Sequence, residues 1–262
     1  MAGEKKRYTL GRGELHFAQF RAGTLLPRGE LYMGNSPAFS LTATQENLDH
    51  YSSDAGVRQK DDSILLQLDY ASALTVDNID LDNLGYFFLG EKRTINTVET
   101  PVAAETLALV EKGRWYQLGT SDVNPSGVRG VSAVTLKPTP AGTNFVAGTD
   151  YLLDLENGRV FIQPAGAITE GASITAGYTI GAASRDQIIT SGKVIEGALR
   201  YLSKNPAGLQ INYFMPHVKF TPNGEFALKG DTWQELQFNV EVLQKNSLAA
   251  IYLDGAPFNP AA

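Results

Sequence analysis

The sequence contains no cysteine, which excludes disulfides, thiolate metal sites and a cysteine nucleophile, and which suits assembly in a reducing cytosol. It has only three histidines, His16, His50 and His217, and their spacing matches no metal-binding or catalytic motif. No apolar run of about eighteen residues occurs, and no apolar stretch follows the N-terminal cations. We therefore expect neither a membrane span nor a signal peptide.

Motifs of common enzyme classes are also missing. The chain has no phosphate-binding loop ending in Gly-Lys-Ser or Gly-Lys-Thr and no Gly-x-Ser-x-Gly nucleophile elbow. Its formal charge of -6 argues against a protein whose main task is to bind nucleic acid, because such binding depends on Lys and Arg side chains that neutralise phosphates. The expectation is a protein that is not an enzyme and that has no catalytic residues and no cofactor.

One acidic pattern partly matches a calcium-binding loop. Asp80, Asp82, Gly85 and Glu91 have its spacing, but Leu84 occupies a ligand position. A helix start explains the carboxylates better, so no metal site is expected.

Much of what the chain does contain is typical of a β protein. Hydrophobic residues make up 43%, and 26 Gly and 12 Pro punctuate the chain as frequent turns do. Alternating apolar residues predict strands with one core-facing side. These residues are Phe39, Leu41 and Ala43; Ile64, Leu66, Leu68 and Tyr70; Ile195, Leu199 and Tyr201; and Leu236, Phe238, Val240 and Val242.

Turns and one helix connect these strands. Asp80 is the predicted N-cap of a short helix that carries Leu81, Leu84 and Phe88 on one face and that Gly90 ends in the left-handed conformation. Two hairpins are predicted. The first has a two-residue turn at Asn157-Gly158 that pairs Glu156 with Arg159, Leu155 with Val160 and Leu153 with Ile162. The second turns at Pro222-Asn223-Gly224 and places Val218 and Phe220 on one face with Phe226 and Leu228.

A change of composition suggests an inserted module. From residue 102 to 183 the chain is rich in Gly, Ala, Thr and Pro, and after residue 183 the composition of the earlier part returns. We predict an extended N-terminal arm at 1–26, a discontinuous β domain at 27–101 and 184–256, a small inserted β module at 102–183, and a C-terminal tail at 257–262. The polar stretch from Gln45 to Asp62 is predicted to be a long loop that needs a function or a partner.

Several stretches resemble the tail tube proteins of long-tailed bacteriophages. The first runs from Glu30 to Leu68 and contains Gly34-Asn35-Ser36-Pro37, Leu48-Asp49-His50 and the basic pair Arg58 and Lys60. Residues 78–90 resemble the helix of that family, and the second half matches through Asn205-Pro206, MPHVKFTPNGEFAL and Asp231-Thr232-Trp233. Together the stretches cover rather more than half of the chain. The module at 102–183 lies outside the pattern.

The resemblance implies a mainly β, tail-tube-like sandwich or barrel with one short helix. Subunits would form hexameric rings that stack into a tube, and each would add strands to a continuous inner barrel. A tape-measure protein, a tail terminator and baseplate proteins would be partners, DNA would pass without specific binding, and no membrane would be involved. The protein would belong to the virion tail and assemble in the host bacterial cytoplasm.

The loop residues are candidates for contacts between subunits. Charges there could pair across an interface, and removing one partner of a desolvated pair is costly. We therefore expect that reversing the charges of Arg58 and Lys60 blocks assembly but not folding. The candidate residues are Asp49, His50, Asp54, Arg58 and Lys60.

Two other classes of function remain open at this stage. A β-sandwich adhesin or glycan-binding module would have similar strands, and Trp115 and Tyr116 could stack on sugars. A hydrolase that uses scattered carboxylates is a weaker alternative, because most such carboxylates are solvated surface groups.

Overall fold

The computed structural model describes residues 8–54 and 56–255, and this part of the chain is mainly β with one short helix, as predicted. The first elements are β1 (Gly13–Gln19), β2 (Leu31–Tyr32), β3 (Ala38–Ser52), β4 (Gln59–Val76), α1 (Leu81–Phe87), β5 (Gly90–Thr97) and β6 (Thr100–Val110). Next come β7 (Trp115–Gln117), β8 (Val131–Pro138), β9 (Tyr151–Asp154), β10 (Arg159–Ile162) and β11 (Ala172–Ile180). The last are β12 (Ala183–Thr190), β13 (Ile195–Ser203), β14 (Ile211–Pro222), β15 (Leu236–Val242) and β16 (Tyr252–Gly255).

The chain divides into two compact units. The first comprises Met1–Arg93 and Ile188–Ala262, and the second comprises Thr94–Gln187. The second unit is longer at both ends than the predicted module at 102–183. The boundaries fall within β5 and β12, which pair with each other as a separate two-stranded sheet.

An eight-stranded antiparallel sheet forms the first unit. Its order is β2-β1-β13-β14-β15-β4-β3, and β16 also pairs with β14. The strands predicted over Ile195–Tyr201 and Leu236–Val242 are confirmed, with Leu236, Phe238 and Val240 fully buried. In the core, the ring of Phe220 stacks on that of Phe17 at 4.5 Å.

Helix α1 begins as predicted but ends differently. The Asp80 carboxylate accepts hydrogen bonds from the backbone N–H groups of Asp82 and Asn83, which is the N-cap arrangement. The left-handed residue at the other end is Leu89, with φ 48°, and not Gly90. Gly90 instead begins β5, where a Cβ atom would lie 2.7 Å from a side-chain carbon of Ile188. The glycine is needed for close packing and not for its backbone angle.

The predicted extended arm over residues 1–26 is wrong for its second half. Residues 13–19 form β1, which pairs with β13 on one side and β2 on the other. Leu15 and Phe17 are only 1% exposed, so this strand belongs to the core. Its alternation was hidden because the strand is short and starts beside two glycines, Gly11 and Gly13. Residues 1–7 of the predicted arm and the whole predicted tail at 257–262 lie outside the described residues.

Two three-stranded sheets with one shared hydrophobic core form the second unit. Their orders are β7-β10-β9 and β6-β11-β8. Val160 and Ile162 from the first sheet are fully buried with Leu136, Ile174 and Ala176 from the second. The module is therefore a small β-sandwich.

The predicted register of its Asn157-Gly158 hairpin is wrong by two residues. Val160 pairs with Leu153 and Arg159 with Asp154, which leaves a four-residue loop. Only Gly158 has a positive φ, 65°. The Asp154 carboxylate explains the wider loop, because it accepts a hydrogen bond from the Asn157 N–H and pairs with Arg159. The bond from Arg159 lowers the pKa of Asp154.

The second predicted hairpin has the right turn but the wrong partner strand. Gly224 has φ 75°, yet β14 pairs directly with β15, with Pro222 opposite Phe238. Residues 223–235 form a loop. Phe226 packs partly buried against the core, and Leu228 is 80% exposed.

The second unit is expected to be removable. We expect that replacing residues 98–182 with a Gly-Ser linker of about four residues leaves the first unit folded. The cut ends already meet, since the hydroxyl of Thr97 lies 3.1 Å from the carbonyl oxygen of Ala183. Circular dichroism and urea unfolding of the shortened chain and the full chain would measure this. Loss of the β signal in the shortened chain would contradict the division.

Candidate self-assembly surface

A long hairpin extends beyond the core of the first unit. Strand β15 pairs with β4 only from Tyr70 to Val76, and β3 and β4 continue as a two-stranded ladder out to the pair Ser52–Gln59. We call residues 44–69 the ribbon. Its β3 strand spans nine residues, about 30 Å at the usual rise of an extended chain. No strand of the described chain flanks it.

Both faces of the ribbon are open to solvent and carry apolar side chains. All residues of β4 from Gln59 to Asp69 are exposed. The large apolar residues and their exposed fractions are Leu48 59%, Tyr51 40%, Ile64 57%, Leu65 52%, Leu66 57% and Leu68 46%. A two-stranded ladder is marginally stable by itself, and contiguous exposed apolar surface is typical of an interface.

A bulge places two of these leucines on one face. Leu65 pairs with Asn47 and Leu68 with Gln45, and an irregularity in the register falls between Glu46 and Asn47. Asn47 and Gln45 are two residues apart on β3 and so point to the same side. By the same alternation this side continues the core-facing side of β4, which carries Leu74. The core face therefore extends past the end of the core.

The structure places four of the five predicted contact residues in pairs within the ribbon. Lys60 lies 2.6 Å from the Asp49 carboxylate, to which the Ser63 hydroxyl also donates a hydrogen bond. The bond from Lys60 lowers the pKa of Asp49, and the same bond raises the pKa of Lys60. The Lys60–Asp49 pair joins the two strands of one copy.

The other three predicted residues lie around the tip of the ribbon. The Nδ1 atom of His50 is 2.6 Å from Asp61, and the Arg58 guanidinium is 5.2 Å from the centre of the Tyr51 ring. Asp54 lies in the turn and is exposed. A contact of any of these residues with a second copy stays a prediction.

The predicted loop from Gln45 to Asp62 is thus wrong. Most of this stretch belongs to β3 and β4, and the turn comprises residues 53–58. The predicted strand over Ile64–Tyr70 is confirmed as part of the longer β4, but Ile64, Leu66 and Leu68 are exposed and not buried in a core as predicted. Apolar alternation indicates a strand, but it does not tell whether the apolar side is covered by a core.

The two ends of the sheet are open as well. Strand β3 has β4 on one side and no strand on the other, among the residues described. At the opposite end, β2 is two residues long and covers only His16 and Phe17 of β1. Unpaired strand edges are sites where another chain can continue a sheet.

The structure gives little support to the other candidate sites considered from the sequence. In the described part of the chain, no three His, Asp or Glu side chains are grouped to hold a metal, and Asp80 caps a helix. Each of the three histidines lies beside a different carboxylate: His50 contacts Asp61, His16 lies near Glu14, and His217 lies near Glu196. No described helix is both long enough and apolar enough to span a membrane.

The aromatic pair proposed for sugar binding is split. Trp115 is 45% exposed, and the Arg159 guanidinium lies 4.9 Å from its ring centre. Tyr116 is partly buried, and its hydroxyl accepts a hydrogen bond from the Glu111 N–H. Adjacent residues of a strand point to opposite faces, so the two rings do not form one stacking platform.

Comparison with known proteins gave one family. A family model described as "Protein of unknown function UCP028589" matches residues 8–251, which covers almost the whole chain. A comparison with curated proteins gave no match.

Proposed function

The chain belongs to the family described as "Protein of unknown function UCP028589", and from its open ribbon we propose that it is a structural subunit of a bacteriophage tail tube. In this proposal, copies of the chain form hexameric rings, and the rings stack into the tube through which the genome is delivered. The number of copies and the tube come from the resemblance in the sequence. The geometry supports the underlying step, which is association with further copies.

The ribbon is the observation that carries the proposal. Leu65 and Leu68 continue the core face of the sheet, yet nothing in the described chain covers them. Burying the exposed half of one such side chain contributes about 0.75–1.5 kcal/mol. A surface repeated on every copy can gain this energy most simply by packing on another copy.

The open sheet edges support a head-to-tail arrangement. The β3 edge and the β1–β2 edge are at opposite ends of the strand order. Joining one end to the other end of the next copy continues the sheet, and closing the circle leaves no free edge. Contacts of this kind give rings or filaments.

The wider role follows from the resemblance. The tape-measure protein, the tail terminator and the baseplate proteins would be the partners of the tube, and the location would be the virion tail. The charge of -6 supports a conduit that DNA passes without specific binding, because an acidic wall repels phosphate. The side-chain pairs within the ribbon join its two strands, which fits a ribbon that is already formed before copies associate.

Electron microscopy and light scattering test the proposal. We expect purified protein, concentrated at moderate ionic strength, to give rings or tubes of uniform diameter in negative stain, and to give a mass several times 28.3 kDa by light scattering. Uniform monomers over the whole concentration range, together with dispersed particles in phage lysates labelled by an antibody to this chain, would contradict it.

A further inference from the structure

A loop of the first unit holds a tryptophan almost entirely in solvent. We call residues 223–235 the Trp233 loop. Trp233 is 93% exposed and Leu228 is 80% exposed. The loop is nevertheless anchored, because the ring of Phe226 lies 5.9 Å from that of Phe87 and Gln234 donates a hydrogen bond to the Ala227 carbonyl. Tryptophan is a favoured anchor of protein interfaces.

A groove in the same unit offers a matching aromatic surface. It has a volume of about 930 Å³, which is in the range of pockets that hold a bulky ligand. Its walls include Phe39, Tyr201 and Tyr213, with the buried Leu15 and Met215. The rings of Phe39 and Tyr201 stack at 5.9 Å. Burial raises the pKa of the Tyr201 hydroxyl above its ordinary value.

The charges of the loop and the groove are complementary. The Trp233 loop contains Glu225, Asp231 and Glu235 against one cation, Lys229, which gives a net charge of -2 (one minus three). Among the described residues that line the groove, the single charged side chain is that of Arg12. Its guanidinium donates to the carbonyl of its neighbour Gly11, and none of the ion pairs of the described chain includes it.

The loop does not occupy the groove of its own copy. No residue from 223 to 235 lines the groove, and the 93% exposure of Trp233 leaves its ring without a packing partner. A projecting group and a cavity at different places on one subunit produce a heterologous contact that repeats from copy to copy.

We propose that Trp233 of one copy inserts into this groove of the next copy, with Arg12 at the rim facing the acidic loop. The inference rests on the proposed self-assembly and names a contact that performs it, separate from the ribbon. The groove would bury the indole ring among the three aromatic walls, where ring contacts add to the gain from area burial.

A peptide binding measurement tests the contact directly. The probe is a fluorescent peptide of residues 223–235, and the receptor is the full chain with Trp233→Ala, which has a groove but no competing ring. Adding Arg12→Glu and Leu41→Glu, both at the groove, should weaken binding at least about tenfold. Arg21→Glu with Leu25→Glu is the matched control, since Leu25 is 38% exposed and Leu41 39%. Equal affinity for all three receptors, or no binding to any, would overturn the proposal.

Mixing two full-length variants gives an independent test. Trp233→Ala keeps the groove, and Arg12→Glu with Leu41→Glu keeps the tryptophan, so in a 1:1 mixture native mass spectrometry should detect mixed pairs in clear excess over the pairs that either variant forms with itself. A mixture that remains as separate monomers would overturn the contact. Normal tubes from Trp233→Ala would overturn this contact but not the proposed tube. An absence of tubes from the wild-type protein would overturn the proposed function itself.

Discussion

Leu65→Ser combined with Leu68→Ser is expected to abolish assembly and to leave folding of the chain nearly unchanged. Both side chains are about half exposed, 52% and 46%, so their replacement in a single copy removes little packing. Such surface changes usually alter the free energy of unfolding by less than about 0.5 kcal/mol. If a second copy covers both leucines, burying the exposed half of each contributes about 0.75–1.5 kcal/mol to the contact. The association constant should then fall by a factor of at least about 10.

Thermal unfolding and electron micrographs of the same preparations measure both effects. Leu152→Ser with Leu155→Ser is the matched control in the second unit, where the two leucines are 41% and 43% exposed. Control protein should assemble like the wild type. Normal tubes from the ribbon variant would refute its role, and a large fall in its melting temperature would place the leucines in the fold instead.

The leucine pair is a cleaner probe of the ribbon than its charges. Reversing Arg58 and Lys60 is still expected to block assembly, but it would also break the Lys60–Asp49 pair and the Arg58–Tyr51 contact inside one copy. A loss of tubes could then come from a distorted ribbon. The leucines have no such bonded partner to lose.

Phe17→Ala is expected to cost about 3–5 kcal/mol of the free energy of unfolding, the usual range for a buried phenylalanine. The side chain is 1% exposed, stacks on Phe220 at 4.5 Å and meets the edge of Tyr86 at 5.2 Å. A Cβ atom on Gly197 would lie 2.5 Å from the Phe17 ring, so β13 is shaped around it.

Urea unfolding followed by circular dichroism gives this energy. Leu10→Ala, also near the N-terminus but 53% exposed, is the control and should change it by less than about 0.5 kcal/mol. A similar small change for both variants would mean that β1 contributes little to the core, as the expectation of an extended arm had it.

The sequence predicted best those elements whose side chains follow one simple period. In Leu236–Val242, buried Leu236, Phe238 and Val240 alternate with exposed residues. At Asp80, the hydrogen bonds of the helix N-cap come from the backbone N–H groups two and three residues further along the chain. The turn at Asn157-Gly158 was foreseen, but its register depended on Asp154, a competitor that the turn rule does not weigh.

The candidate surface was harder to predict than the fold. The stretch around Asp49 and Lys60 was singled out for its polarity and length, and it lies in the ribbon, which no further strand of the described chain flanks. That the two residues bond to each other depends on a register with two irregularities, between Glu46 and Asn47 and between His50 and Tyr51. Nothing in the residue types gives their positions.

The pairing of β1 with β13 sets an order of events during synthesis on the ribosome. Gly13 lies opposite Ser203, so the sheet of the first unit has a high contact order and is incomplete until the later part of the chain has emerged. The three-stranded sheets of the second unit use only residues 100–180 and can close earlier. The nascent chain would therefore carry a folded sandwich before the sheet of the first unit is complete.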